Sequence, residues 1–383
     1  DHRDLHSFPT RRSSDLIALI IATLLSWPTE PAIAETKIVV WNAQASLEES
    51  TQERLDDFRA FADGTDPDIV ILIEMSGENS VESFVSQLNW PEVYYVTSDL
   101  ATLSTNVFFA LEMAVVSKIP IKSVVEYDTS TDGAHPIRTK PGTPLNSVQE
   151  ERLRSDGIPD FGQTLSSRDR GTIRVDLDNG LSIFPVHLKS NRVGACSAPG
   201  EALRVIEENG FDLSPTLKNQ LENAYEKGFP QATASHVSNA EQRERVIAAI
   251  ARVAQDAIDE GRHAIIAGDF NTSYEKGKTG NLASDCILKD FSCEKAPFPE
   301  IACSDGDGFD DTFAILEQGY AATSTWNVLS KALPRTYQDP AFADAAIDHI
   351  AVPNSSKEVF TDAKRIDQLF GSDHYPISVT FID

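Results

Sequence analysis

Short apolar runs rich in β-branched residues, separated by polar turns, dominate this chain, and several of them end on a polar side chain. Residues 37–41 (KIVVW), 69–73 and 263–267 are apolar almost throughout, the pattern of strands covered on both faces. Residues 171–177 and 181–187 flank Asp178-Asn179-Gly180 and predict a hairpin. Residues 94–96, 107–109, 113–117, 323–326, 347–352 and 377–382 read as further strands. Helices are predicted over 48–62, 80–88 and, most clearly, 240–258. In the last, Val246, Ile250, Val253 and Ala257 follow the 3.6-residue period and Gly261 ends the run. Residues 128–167 are rich in Pro, Gly, Ser, Thr and charge and read as an irregular insertion; a second insertion, with some helix expected in it, runs over 192–237. The element order predicts an α/β fold, a four-layer α/β sandwich. Two mixed, mostly antiparallel sheets would pack face to face with helices outside, because a hairpin excludes an all-parallel sheet.

The amino-terminal part departs from this pattern. Residues 1–16 have no usable periodicity, resemble read-through of a sequencing adaptor, and read as a non-native scar. Residues 17–34 read as a signal peptide: the apolar run is shorter than the roughly 20 residues of a membrane span, and Ala32-Ile33-Ala34 offers small residues at a cleavage site. The rival reading is an uncleaved anchor. Either one puts the body, residues 35–383, outside the cytoplasm, in the periplasm or secreted. An exported chain can oxidise its cysteines; Cys196, Cys286, Cys293 and Cys303 allow two disulfides, and their spacing does not fit a zinc ribbon.

The formal net charge is −26, and removing residues 1–34 takes away four acids and three bases. A surface this acidic repels nucleic acid at long range and argues against a high-affinity nucleic-acid binder. It leaves room for catalysis on a phosphoester at a local basic strip. Arg168, Arg170, Arg174, Lys189 and Arg192 supply the basic concentration in their stretch.

The strand-end polar residues are the candidate chemistry. Glu74 closes an apolar strand, where a carboxylate must be solvated, paired or metal-bound, and hard oxygen suits Mg²⁺, Mn²⁺ or Ca²⁺. Asp269 and Asn271 follow residues 263–267 two apart, so both face one side if the strand continues. His187 ends the second hairpin strand and could give a proton to a leaving oxygen near neutral pH. Asp348-His349 and Asp373-His374 repeat an acid–histidine step; if Asp348 meets His374, the acid fixes the imidazole's tautomer.

In this order, Trp41-Asn42, Glu74, His187, Gly268-Asp269-Phe270-Asn271, Asp348-His349 and Ser372-Asp373-His374 resemble the endonuclease/exonuclease/phosphatase superfamily. That group includes deoxyribonuclease-I-like nucleases, abasic-site endonucleases, bacterial sphingomyelinases and inositol-phosphate phosphatases. The resemblance implies a metal-dependent phosphoester hydrolase. Glu74 would be the principal metal ligand, helped by Asn42 and Asp373, and Mg²⁺ the usual ion, with Mn²⁺ or Ca²⁺ as alternatives. Asp269 would orient or deprotonate the attacking water, Asn271 bind a phosphoryl oxygen, and His374, supported by Asp348, stabilise the transition state. His187 would serve the leaving group, and Asn42, Arg170, Lys189 and Asn271 would contact substrate. Two positions depart from the family pattern: Ile73 stands where Gln is common, and Ala43-Gln44 follow Asn42. The stretch from His187 to Asn191, with Cys196, resembles an exported bacterial branch. Nucleic acid is the expected substrate and no stable protein partner is implied, which makes a monomer the expectation. A sphingomyelinase-like lipid phosphodiesterase, for which membrane contact through Trp326 and its neighbours would be needed, is an alternative. A phosphomonoesterase on a small ester and a non-catalytic binding module are the others.

Overall fold

A computed structural model describes residues 35–44, 51–100, 112–128, 137–139, 143–153, 170–190, 206, 210, 213–274, 310–319, 323–338 and 345–382. The four cysteines, Arg168, Arg192, the strand expected over 107–109 and everything before residue 35 lie outside these. The strands are β1 (Glu35–Asn42), β2 (Ile69–Met75), β3 (Tyr94–Thr97), β4 (Glu112–Ser117), β5 (Ile121–Asp128), β6 (Ile137–Thr139), β7 (Thr143–Asn146), β8 (Gln149–Arg152), β9 (Thr172–Leu177), β10 (Leu181–His187), β11 (His263–Asp269), β12 (Trp326–Val328), β13 (Asp348–Pro353), β14 (Lys364–Arg365) and β15 (Ile377–Ile382). The helices are α1 (Gln52–Thr65), α2 (Glu78–Gln87), α3 (Pro215–Asp259) and α4 (Thr312–Gln318). None of the described helices is long and apolar enough to cross a membrane.

One sheet has eight strands in the order β14-β15-β1-β2-β4-β3-β6-β7, the other seven in the order β12-β13-β11-β10-β9-β5-β8. Most neighbours are antiparallel, but the edge strand β8 pairs parallel with β5, β1 parallel with β2 across α1, and β10 parallel with β11 across the segment that ends in α3. Parallel neighbours need such crossovers, and these place the helices on the outer faces.

The two-residue strand period then builds four layers. Ile38 and Val40 of β1, Ile69, Ile71 and Ile73 of β2, Leu181 and Ile183 of β10, and Ile265 and Ala267 of β11 face one another between the sheets. The alternate residues face outward. Val39, Trp41, Val70 and Leu72 meet Phe58 and Phe61 of α1 and Phe84 of α2, with Trp41 stacked on Phe61 at 4.3 Å. Phe184, Val186, Ala264 and Ile266 meet Ile247, Ile250 and Ala254 of α3. Each fully buried side chain of this size contributes about 1.5–3 kcal/mol, so three stacked apolar layers hold the sheets in register.

The predicted sandwich is present, with several boundaries moved. The first helix starts at Gln52 because the Thr51 hydroxyl accepts from Arg54 N. The long helix reaches back from 240 to Pro215, with Ser214 as its cap and proline in its first turn. Residues 128–167 contain strands where irregular chain was expected. β6 and β7 extend the eight-stranded sheet and β8 the seven-stranded one; at three or four residues each they show no readable alternation. β5 and α4 were not anticipated either. Trp326 is 1% exposed in the α3-side core and presents no apolar surface to a membrane.

Candidate active site

One end of the sandwich collects the polar strand ends, and strand period accounts for most of it. Asn42 follows Ile38 and Val40 on the inward face of β1. His187 continues Leu181 and Ile183 on β10, Asp269 continues Ile265 and Ala267 on β11, and Asp348 begins the face that Ile350 and Val352 continue on β13. Register aligns them: His187 lies opposite Asp269 in the parallel β10/β11 pair, and Asp269 opposite Asp348 in the antiparallel β11/β13 pair.

Glu74 is the exception. By alternation it would follow Val70 and Leu72 toward the helices. A register shift between Ile73 and Met75 against β4 intervenes, with Glu74 in the left-handed region at φ 61°. Met75 takes the outward place in the helix-side core, and the Glu74 carboxylate comes within 3.3 Å of His187 Nε2. Asn271 and Gln44 also have positive φ, at 53° and 47°. Backbone strain of this kind, on the order of 1–3 kcal/mol per residue, persists where surrounding structure enforces it. Ile73, where the family resemblance leads one to expect Gln, belongs to the inter-sheet core.

The side chains interlock. Asp269 Oδ1 accepts from Asn271 N at 2.7 Å, and Oδ2 accepts from Asn42 Nδ2 at 3.2 Å. His187 Nε2 lies 3.8 Å from Asp269 Oδ2. His374 places Nδ1 2.9 Å from Asp348 Oδ2 and Nε2 4.0 Å from Asp269 Oδ2 and 3.5 Å from Asn42 Nδ2. Ser372 Oγ donates to the Asn42 carbonyl and accepts from His374 N, which ties the last motif to β1. Thr336 Oγ1 accepts from Ile347 N and Asp348 N, and the Tyr337 ring stands edge-on to His374 at 4.9 Å. The Asn271 amide donates to Leu188 O at 3.0 Å, and Arg170 Nη1 donates to both His187 O and Leu188 O at 3.1 Å. Lys189 follows, half-buried, and lines a small cleft with Arg170, Leu188, Gln242 and Val246.

Burial, reinforced by the negative charges of Asp348 and Glu74, pushes the Asp269 carboxyl up to about 7 against the pull of His374. Burial works against a charged His374, but the Asp348 charge and hydrogen bond, with Asp269 and Asp373, outweigh it and raise its pKa to about 10. Burial also lowers the Arg170 pKa while Glu74, Asp269 and Glu112 act to raise it.

The two acid–histidine steps divide. Asp348 and His374 meet, whereas His349 points outward between Phe270 and Phe313. His349 Nε2 faces the carbonyls of Thr272 and Ala346, so it carries the proton, and Nδ1 lies 2.9 Å from Ser330 Oγ. Burial holds its pKa down to about 4, a neutral core histidine.

Two groups of three among the described residues bring ligand atoms within 4.8 Å of one another: Glu74, His187 and Asp269, and Asp269, Asp348 and His374. The first is a mixed carboxylate–imidazole set suited to a divalent cation. Asp373 belongs to neither; its carboxylate lies 3.9 Å from His374 Nε2. Asn42 turns its amide nitrogen to Asp269, because a carboxylate only accepts, and its oxygen to Gln44 N at 3.2 Å. In this arrangement Asn42 holds Asp269 and its oxygen faces away from the carboxylates. Arg174 is bound to Asp176 and Glu260, which removes it from the basic strip.

The sequence reading named Ser372 in its last motif without a role and passed over Thr336, Arg243 and Asp310. Arg243 carried a signal: it lies three residues before Val246, a charge on the apolar stripe of the predicted helix.

No curated protein matches this chain. Among solved structures it is similar to an AP endonuclease from Archaeoglobus fulgidus, at 14% identity and TM-score 0.44, over 90% of this chain and 99% of that one. It is also similar to a 3' phosphatase, NExo, from Neisseria, at 16% identity and TM-score 0.42, over 90% and 99%. The endonuclease/exonuclease/phosphatase from Bacteroides vulgatus is similar at 14% identity and TM-score 0.44, over 91% and 100%. A family model spans residues 39–374, from Val39 inside β1 to the histidine paired with Asp348, and by that match the chain belongs to the endonuclease/exonuclease/phosphatase family.

Proposed function

We propose that this protein is a metal-dependent phosphoester hydrolase that acts outside the cytoplasm, with nucleic acid as its expected substrate. One observation carries the reading: the strand ends of both sheets converge on a single cluster in which the Asp269 carboxyl lies between the His187 and His374 imidazoles, with Glu74 beside His187. Membership in the family supports the reaction class. The export expectation rests on residues 17–34, and the resemblance to an exported branch on the stretch from His187 to Asn191.

Glu74, with His187 and Asp269 around it, would hold a divalent cation, Mg²⁺ being the expected ion and Mn²⁺ or Ca²⁺ the alternatives. Such an ion would supply charge neutralisation on the phosphate and help to the leaving oxygen. Asp269, held by Asn42 and by Asn271 N, accepts a proton from the attacking water. His374, kept charged by Asp348, directs an N–H at a phosphoryl oxygen, where fixed donors stabilise developing charge. Asn271 assists on the same oxygen set. His187 orients Glu74 and is the candidate for the leaving group. Arg170 and Lys189 would meet flanking negative charge.

The formal charge of −26 favours a second reading, a small phosphate ester, since a large polyanion meets long-range repulsion. The test is nicking of supercoiled plasmid by the wild type and Asp269→Ala with Mg²⁺, and with EDTA. We expect metal-dependent nicking, reduced at least about 10²-fold in the variant. Absent nicking by folded protein, with turnover of a small aryl phosphate, would move the assignment to the second reading. Turnover that resists EDTA would overturn the metal role.

A further inference from the structure

Behind the cluster, on the α3 side, lies a buried ion pair that the reaction scheme does not use. Arg243 of α3 is fully buried, with Nε 3.1 Å and Nη2 2.5 Å from Asp310 Oδ2. The pair reaches both loops that leave the site. Arg243 Nη1 donates to Lys189 O at 2.9 Å, two residues after His187. Asp310 Oδ2 accepts from Thr272 Oγ1 at 2.8 Å, one residue after Asn271. Asp310 Oδ1 accepts from Thr312 Oγ1 and Thr312 N, and Glu244 Oε1 accepts from Asp311 N, so the acid is fixed at the start of α4. The two loops are also bonded to each other, by Leu188 N to Asp269 O at 2.8 Å and Asn271 Nδ2 to Leu188 O.

We infer that Arg243 and Asp310 are positioning residues, a buried clamp that holds the loops after β10 and β11 so that His187 and Asn271 keep their places in the site. Three features favour a positioning role over mere packing. All three guanidinium nitrogens are committed, one to the first loop and two to the acid that grips the second. An apolar pair of the same volume would fill the space but could not bond a carbonyl on one loop and a hydroxyl on the other. Asn271, the neighbour of the gripped Thr272, holds a left-handed φ that a loose loop would not maintain. The inference rests on the proposed phosphoester chemistry for its kinetic consequence, but the geometric coupling stands apart from it.

The experiment pairs a structural with a kinetic readout on the full chain. In Arg243→Lys, and in the double variant Arg243→Met/Asp310→Asn that leaves no buried charge unpaired, hydrogen exchange at the amides of Leu188 and Asn271 should quicken at least about 10-fold. Amides of β11 and β13 should stay as in the wild type. With Mg²⁺ and an aryl phosphodiester, kcat should fall about 10–100-fold with KM nearly unchanged. In an Asn271→Ala background Arg243→Lys should add little further loss, because both act on one element. Unchanged exchange in both loops, or a fully multiplicative loss in the double-mutant cycle, would overturn the clamp. A wild type that hydrolyses no phosphoester would overturn the proposed function instead, and the exchange measurement would still decide the coupling.

Discussion

Of two histidines that each directly follow an acid, one ends charged and the other neutral, and the partner decides which. His374 has Asp348 Oδ2 at its Nδ1, and the pair keeps its proton up to a pKa of about 10. His349 is equally buried, but its nitrogens face carbonyls and a hydroxyl, and desolvation leaves it neutral. For His374 the folded value lies above the unfolded 6.5. Its contribution to stability is therefore complete below about pH 6.5 and fades as pH climbs through about 10. We predict that nitrogen-15 NMR finds His374 as imidazolium at pH 8 in the metal-free protein. Asp348→Asn should lower that pKa by more than about one unit and turnover by at least about 10²-fold. A neutral His374 at pH 7 in the wild type would contradict this account of its charge.

At the scale of elements, the site depends on how closely β10 and β11 approach. Gly268 lies opposite Val186 with φ 153°, and a Cβ there would overlap the Val186 carbonyl oxygen. Asp269 is the next residue, so any widening at Gly268 displaces the carboxylate. Gly268→Ala should destabilise the fold by about 2–4 kcal/mol and reduce turnover further than the loss of folded protein explains. Calorimetry beside single-turnover kinetics checks both; a wild-type melting temperature with full activity would show that the strands accommodate the methyl group. The bulge in β2 does the complementary job. It turns one residue out of alternation, so Glu74 joins the site and Met75 completes the helix-side core.

Across the whole molecule, a net charge of −26 makes self-repulsion a standing cost to the compact state. Salt screens it, since the Debye length falls from about 30 Å at 0.01 M to about 3 Å at 1 M. The melting temperature should therefore rise with sodium chloride over that range. A flat or falling curve would mean that solvent-accessible pairs such as Lys118–Asp68 and Arg365–Asp367 outweigh the repulsion.

Sequence alone determined the layers and most of the cluster, because strand period is a local property. Once β1, β10, β11 and β13 are strands with apolar inward faces, Asn42, His187, Asp269 and Asp348 must face inward at their ends. It also ranked the helix over 240–258 as the clearest, while the Ser214-Pro215 start went unread. Tertiary structure alone decided what depends on distant pairing. The turn of Glu74 into the site needs a register shift against β4. The choice of Asp348 for His374 over His349 needs β13 beside β11 and the Ser372 tie to β1. The Arg243–Asp310 clamp joins residues 67 apart. Residues 128–167 divide their strands between two sheet edges, where the partner rather than the side-chain pattern fixes the conformation.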